Sequence, residues 1–483
     1  MKEAGTTMEK ATQKVPLDAK QRNITWQTLA MMAFMTVWGF GNVINGYAFY
    51  GGMRSILTWV IVFVIYFVPY ALMVGEMGSA FKEAGGGVSS WVEQSFSKKL
   101  AYYAGWTYWV VHMPYISQKP LNIVVAGSWA IWGDKRASDF NFQVIQLICI
   151  IIFLLVVVTA LQGINIVKKI TSIAGLAGLV MSLLFILMAI SAPLFRDISF
   201  NRVSFNSTTL LPTFDWKYVT SFSVLLFAVG GCEKISPYVN KVKNPGKGFP
   251  RGIIFMTAMV ITTAILGTIA LAMMFDPLNP PKDLVTNGAY EAFQMLGNWY
   301  GVGNLFVILY AISIVVAQFA VMVLSIDAPL RILIESSDHE FIPKFMRKGN
   351  HKGAYVNGIK LISVIVLSLL IIPMFGIGQV NEMVKFLIKL NSVCMPLRYL
   401  WVFVAYIGLK KAAAHSAEYI FTKNKTMGIF LGGWCFALTA ASCALGMYDE
   451  DPFKFCMKVI TPFVLIGLGL ILPQIAKKQN NRS

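Results

Sequence analysis

Long apolar blocks set the strongest limit on how this chain can fold. The hydrophobic residues fall into stretches of about 20 or more, the length that a helix needs to cross a hydrocarbon core of about 30 Å. In lipid, every backbone polar group must be satisfied within its own segment, so such stretches form helices. Charged residues make up only 13% of the chain, against about 25% in a typical soluble domain. We therefore predict an all-α polytopic membrane protein.

The apolar blocks number about twelve, and we call them spans 1 to 12. Residues 1–24 form a polar tail without a short apolar core and cleavage site, so we expect span 1 to act as an uncleaved signal. Residues 475–483 form a second short tail. The predicted spans are 25–50, 55–80, 101–132, 142–162, 170–194, 217–242, 252–275, 302–330, 355–375, 383–409, 427–447 and 455–474.

Basic residues are concentrated in alternate connections between the spans. One side collects 26 Lys and Arg residues and the other side eight, which predicts that both termini are cytoplasmic. We expect the plasma membrane, which in a bacterium is the inner membrane. The net charge of +18 is scattered over short loops, so anionic lipid headgroups fit it better than nucleic acid.

Spans 1 and 6 both contain helix-breaking residues near their middle. Span 1 reads "WGFGNVING", with Gly39, Gly41 and Gly46, and span 6 reads "FAVGGCEKISPY". Glycine weakens a helix by about 1 kcal/mol and proline by about 3 kcal/mol. Such glycines can simply permit close helix packing. Two clusters that lie five spans apart, each with polar neighbours, instead favour two discontinuous helices.

Breaks at matching positions are typical of an inverted repeat. We predict a first repeat at 25–194 (spans 1–5), a second at 217–409 (spans 6–10) and an added pair at 427–474 (spans 11 and 12). Interrupted helices leave free amide and carbonyl groups at mid-membrane, where they must line a cavity. Amide ends attract carboxylates, carbonyl ends attract ammonium groups, and a free amino acid carries both. This chemistry predicts a transporter for amino acids or close relatives.

Three further segments carry a family resemblance. They are "EMGSAFKEAGGGVSSW" (Glu76–Trp91), "KNPGKGFPRGI" (Lys243–Ile253) and "APLRILIESSDHEFIPK" (Ala328–Lys344). Together with "GFGN" and "FAVGGCE", they resemble, in order and over nearly the whole chain, the amino acid–polyamine–organocation superfamily. Within it, the chain is most similar to bacterial permeases of the glutamate/γ-aminobutyrate antiporter type.

The resemblance implies that the substrate contacts both breaks and a polar residue of span 3. Glu233 matches the acidic position of the family's sixth span, and His112 is the best match in span 3. Two residues depart from the family pattern: Lys82 replaces a usual proline, and Lys234 follows Glu233, which leaves the charge of the substrate open. The implied contacts in the breaks are Gly39, Phe40, Gly41, Asn42, Phe227, Gly230, Gly231, Cys232 and Glu233.

Span 3 places three polar residues on one helical face. His112, Tyr115 and Lys119 follow an i, i+3, i+7 spacing. A charge at mid-bilayer costs about 2.5–3.5 kcal/mol on insertion scales, so each one needs a cavity or a partner. For Lys119 the candidate partners are Glu233 and a substrate carboxylate, and the alternative is snorkelling or structural pairing. The alternative for His112 is a satisfied interior histidine.

Span 10 adds further cations. Lys385 is near the outer edge, Lys389 lies one turn deeper, and Arg398 is near mid-span, where it suits a gate or a helix tether. Intramembrane cations thus outnumber Glu233, which favours an anionic or neutral substrate over a polyamine. The predicted coupling or gating residues are Lys119, Glu233, Lys234, Lys389 and Arg398.

Coupling is constrained by what spans 5 and 8 contain. Span 5 has no central lysine to replace a sodium ion, and span 8 has few clustered hydroxyls, so sodium symport is disfavoured. We predict alternating-access exchange of amino acids or their decarboxylation products. The alternatives are a proton-coupled symporter or uniporter, and an amine or polyamine exchanger of the same fold. No enzyme motif, cofactor site or metal site is predicted, and the sequence carries no signal for an oligomeric state.

Overall fold

A computed structural model describes residues 22–83, 87–162, 180–194, 205–276, 279–338, 340–351, 353–412 and 417–480. Their regular elements are helices, as predicted. Within these ranges, nine helices are long and apolar enough to cross a membrane, and they correspond to spans 2, 4 and 6–12. They are Arg54–Ala80, Phe142–Ala160, Trp216–Lys241, Pro245–Ala272, Leu305–Ile334, Val356–Phe375, Val380–Lys411, Lys425–Gly446 and Pro452–Gln479.

The three other predicted spans are also helical where they are described. Span 1 is a pair, Trp26–Val37 and Phe40–Phe49, bent by 41° at its break. Span 3 consists of Lys98–Val110 followed by His112–Trp132. The described part of span 5 is Val180–Leu194, and residues 170–179 of that prediction lie outside the described ranges.

The break in span 1 is shorter than the glycine pattern indicated. Trp38 and Gly39 are extended between the two helices. Gly41 and Gly46 lie within the second helix, so the expectation that they interrupt span 1 was wrong. Gly46 instead permits close packing on span 2, because a Cβ there would lie 2.6 Å from the Trp59 indole.

The break in span 6 lies at the predicted glycine pair. The α-helix Trp216–Val229 ends there, and a 3₁₀ helix, Cys232–Lys241, follows. Gly231 has a φ of +114°, which side chains rarely adopt. A Cβ on Gly230 would lie 2.2 Å from the Tyr399 ring. Local conformation and a close neighbour therefore both require glycine here.

Several elements were not predicted. Helices Val88–Ser95 and Leu284–Trp299 lie between spans, and the second occupies much of 276–301, which reads as a polar connection in the sequence. Span 2 contains a π-helical turn at Phe63–Phe67. Span 10 divides into Val380–Cys394 and Leu397–Lys411. The last helix, Pro452–Asn480, continues into the predicted C-terminal tail.

Ion pairs join loops that the sequence places on the same side of the membrane. At one end, which we call the basic face, Arg22 pairs with Glu83 at 2.8 Å, Lys82 with Glu418 at 2.9 Å and Lys98 with Asp338 at 3.0 Å. At the other end, the opposite face, Lys135 pairs with Asp283 at 2.8 Å and Lys454 with Glu382 at 3.0 Å. Each of these ion pairs therefore agrees with the predicted order of the spans, in which successive loops lie on alternate sides of the membrane.

Candidate substrate site between the two broken helices

Asn42 joins the two breaks directly. Its side-chain amide donates to the Val37 carbonyl at 3.2 Å and to the Ala228 carbonyl at 3.1 Å. Both carbonyls belong to the last turn of the helix before a break, where intrahelical partners run out. The backbone amide of Asn42 donates to the Gly39 carbonyl at 2.9 Å. The two predicted breaks therefore lie side by side in the centre of the bundle.

Glu233, directly after the span 6 break, is fully buried and holds two other spans. It accepts a hydrogen bond from the Tyr70 hydroxyl of span 2 at Oε2. Its Oε1 lies 3.2 Å from Nε of Arg398, which is only 1% exposed. The partner of Glu233 is thus Arg398 of span 10, and not Lys119, which the sequence offered as a candidate.

Arg398 has further neighbours that fix its guanidinium. His112 Nε2 lies 3.3 Å from Nη1, and Nη2 donates to the Tyr399 hydroxyl at 3.4 Å. The guanidinium lies 5.0 Å from the centre of the Tyr108 ring. His112 Nδ1 lies 2.7 Å from the Tyr108 carbonyl, which can only accept, so Nδ1 carries the proton. Nε2 is then free to accept from Arg398, and His112 is neutral.

Lys119 and Lys234 meet at one aromatic ring. Nζ of Lys119 lies 3.9 Å from the centre of the Tyr115 ring, and Nζ of Lys234 lies 5.8 Å from it. Among the residues that the structure describes, neither ammonium has a hydrogen bond or a salt bridge. Lys119 is only 7% exposed. A second positive region therefore lies beside the Glu233–Arg398 pair.

The other predicted contacts are distributed around the breaks. Added Cβ atoms on Gly39 and Gly41 would meet no atom within 4 Å, so there is open space beside the span 1 break. Phe40 turns away into an aromatic cluster, 4.2 Å from Phe185 between ring centres. Cys232 is fully buried and Phe227 is partly buried against the core.

Lys389 lies away from this region. Its ammonium is 3.9 Å from a carboxylate oxygen of Asp449 on the opposite face, and its side chain is 40% exposed. Asp449 also pairs with Lys458 at 3.2 Å. Lys385, near the outer edge of span 10, is 4.0 Å from Glu382 at the same face. The structure therefore does not bring Lys389 together with the breaks.

Three aromatic residues of the site were missed in the sequence. Tyr70, Tyr108 and Tyr399 surround Glu233 and Arg398. Nearby, Asn391 donates to Gln118 at 2.7 Å between spans 10 and 3. Tyrosines in an apolar run give no periodic signal that separates them from core residues. Pro396 beside an intramembrane arginine was the one available sign that span 10 contributes here.

Comparison with known proteins gives the family. The model of the amino acid permease family matches residues 24–470. The chain belongs to this family. It is therefore a multi-pass transporter and not an enzyme, as the motifs in the sequence predicted.

Two relatives and one solved structure illustrate the likeness. The aspartate/glutamate permease AcaP of Lactococcus lactis subsp. cremoris is 46% identical over 96% of this chain and 97% of its own length. A glutamate/gamma-aminobutyrate antiporter of Lactococcus lactis subsp. lactis is 24% identical over 72% of this chain and 68% of its own length. A histidine-to-alanine mutant of the manganese transporter of Eremococcus coleocola superposes with a TM-score of 0.56 at 12% identity, covering 94% of this chain and 96% of that one, which shows the shared fold alone.

Proposed function

We propose that this permease exchanges acidic amino acids across the plasma membrane. The observation that carries this proposal is the positive excess beside the two joined breaks. Three cations, Lys119, Lys234 and Arg398, lie in this region with one buried carboxylate, that of Glu233, which already pairs with Arg398. Charges inside a membrane protein need partners, and an anionic side chain on the substrate would supply one.

The two breaks suit the α-carboxylate and α-ammonium groups that all amino acids share. The helix beginning at Phe40 and the 3₁₀ helix beginning at Cys232 present free amide groups, which favour an α-carboxylate. The helices ending at Val37 and Val229 present carbonyls, which favour an α-ammonium group. Asn42 already occupies one carbonyl of each helix. It thereby sets the distance between the two half-sites.

The name of one relative supports the same substrate class. The protein with 46% identity is an aspartate/glutamate permease, and its alignment covers 96% of this chain. The antiporter relative supports exchange as the mode of transport. An exchanger of diamines is less favoured here, because a dication would meet Lys119 and Lys234, neither of which forms a salt bridge with a described acidic residue.

Orientation and coupling belong to the same proposal. The distribution of Lys and Arg supports a cytoplasmic position for the basic face and both termini. Exchange requires that the two breaks open to each side in turn only when a substrate occupies them. The alternative is proton-coupled transport, for which Glu233 is the one acidic group adjoining the breaks among the described residues.

Counterflow in proteoliposomes tests the function. Vesicles are loaded with unlabelled aspartate, glutamate, their amides, γ-aminobutyrate or putrescine, and uptake of labelled aspartate is followed with and without a pH gradient. We expect rapid uptake into vesicles loaded with either acid, without any gradient. Uptake that requires a pH gradient would replace exchange with proton coupling. No uptake of aspartate or glutamate under either condition would reject the proposed substrate class.

A further inference from the structure

The two lysines at Tyr115 are the least satisfied charges near the breaks. Lys119 comes from span 3 and Lys234 from span 6, and their ammonium groups lie 3.9 and 5.8 Å from the centre of the same ring. Lys119 is more than nine-tenths buried, and no described side chain or carbonyl accepts a hydrogen bond from it. Both ammonium nitrogens nevertheless keep some accessible surface. They therefore border a space that a ligand atom can reach.

The charges around this space favour an anionic group. The positive charges of Arg398 and Lys119 both act on Lys234, and the negative charge of Glu233 opposes them in part. The face of the Tyr115 ring attracts each ammonium, but it carries no net charge and relieves none of this repulsion. Arg398 is already paired with Glu233 at 3.2 Å, whereas neither lysine forms a salt bridge with a described acid. A carboxylate placed between them would satisfy both at once.

The position of the two lysines also fits a substrate that is bound at the breaks. The Lys234 side chain runs back along the span 6 break, since a Cβ built on Gly231 would lie 3.3 Å from its Cε. Lys119 lies on the same helical face as His112, which contacts Arg398. The lysines thus border the breaks from span 3 and from span 6.

We propose that Lys119 and Lys234 together bind the side-chain carboxylate of the substrate at the Tyr115 ring. The inference rests on the proposed function and adds the residues that determine its specificity. Because the two lysines come from different spans, a carboxylate bound between them also ties span 3 to span 6. Recognition of the acid is thereby linked to closure of the site.

The test compares each acid with its isosteric amide. Binding of aspartate, asparagine, glutamate and glutamine to purified protein is measured by calorimetry, and inhibition of aspartate counterflow is measured in proteoliposomes. The variants are Lys119→Met, Lys234→Met, the double variant and Lys119→Arg. Lys360→Met, at an exposed lysine of span 9, is the matched control. Size-exclusion chromatography checks that each variant is folded.

We expect each methionine variant to lose roughly 10- to 100-fold in affinity for the acids, and less than about threefold for the amides. The double variant should lose less than the product of the single effects, because both lysines bind one group. Lys119→Arg should recover part of the preference for acids, and Lys360→Met should keep it in full.

Two results would overturn the inference, and they differ from each other. If the wild type transports aspartate or glutamate and both methionine variants keep its preference for acids, the lysines do not bind the carboxylate while the function stands. If the wild type neither binds nor exchanges acidic amino acids, the proposed function fails together with this inference. Should one methionine variant not fold, the other decides the question.

Discussion

Two buried acid–base pairs of this permease look alike and differ in how completely they are satisfied. We call Glu76–Lys410, between spans 2 and 10 near the basic face, the terminal pair. We call Glu233–Arg398, beside the breaks, the central pair. Both acids are fully buried, the bases are 4% and 1% exposed, and a tyrosine donates to each carboxylate.

The terminal pair is saturated with hydrogen bonds. Glu76 accepts from Lys410, from the Tyr406 hydroxyl at 2.9 Å and from the Phe421 amide at 3.1 Å. Lys410 also donates to the Thr422 carbonyl at 2.8 Å. The loop that carries Phe421 and Thr422 is thereby tied to two spans.

The central pair is incomplete. Glu233 Oε1 and Arg398 Nε lie 3.2 Å apart, yet both are buried without a hydrogen bond of good geometry. A fully satisfied polar network fixes one structure, whereas an incomplete one keeps capacity to bind or to rearrange. We therefore expect the terminal pair to act mainly in stability and the central pair mainly in transport.

The largest effect should come from breaking the terminal pair. Glu76→Gln leaves Lys410 buried without a countercharge, which typically lowers the free energy of unfolding by about 3–5 kcal/mol. Thermal unfolding of the purified protein in detergent measures it. The double variant Glu76→Gln/Lys410→Met should recover part of the loss, because no unpaired charge remains. If Glu76→Gln is as stable as the wild type, a full set of hydrogen bonds does not indicate a structural role for the terminal pair.

The matched change at the central pair should affect transport first. Glu233→Gln retains a partner for Tyr70, and Arg398 still contacts His112 and Tyr399. We expect a loss of stability no larger than the about 3–5 kcal/mol of Glu76→Gln, because Arg398 keeps these two contacts, and at least a roughly tenfold drop in the exchange rate, equal to ~1.4 kcal/mol. Counterflow of labelled aspartate measures the rate. Near-normal kinetics would remove Glu233 from the mechanism.

Sequence reasoning succeeded where the signal is local. The double glycine of span 6 marks a break because Gly231 takes a backbone conformation that other residues rarely adopt. The apolar blocks likewise place the spans, since their length and composition are local properties. The break of span 3 after Val110 was missed, although Pro114 removes the amide that would bond to the Val110 carbonyl.

Partners that are distant in sequence could not be read in this way. Glu233 and Arg398 are brought together by the rotation of two helices, and no periodicity in either span records that rotation. The sequence therefore identified both residues and left their pairing open. The same holds for Lys119 and Lys234, which share the Tyr115 ring only in the folded chain.

Removing one tyrosine hydroxyl from each pair tests the same comparison with a smaller change. Tyr406→Phe and Tyr70→Phe each remove one hydroxyl from a buried carboxylate and keep the ring. We expect Tyr406→Phe to lower the unfolding free energy by about 1–3 kcal/mol with transport nearly unchanged. We expect Tyr70→Phe to alter the exchange rate more than stability. Melting temperature and counterflow are measured on both variants. If Tyr406→Phe and Tyr70→Phe change stability and transport to the same extent, the division of roles between the two pairs is wrong.

The smallest effect should come from an exposed pair on the loop of the terminal pair. Lys82, which departs from the family's usual proline, pairs with Glu418 at 2.9 Å, and both side chains are about one-third exposed. The hydrogen bond and charge of Lys82 hold the pKa of Glu418 below its ordinary value of 4.5. The pair therefore stabilises the fold fully above that value and loses its contribution as the pH falls through the lower folded-state pKa.

Glu418→Gln should accordingly cost less than about 1 kcal/mol at neutral pH, as exposed pairs usually do. The difference in melting temperature between wild type and variant should shrink to zero under strongly acidic conditions, because the wild-type carboxylate is then protonated. Lys82→Met should behave in the same way, since it removes the other half of the pair. A difference that persists at acid pH would mean that the contribution of Glu418 does not come from its charge.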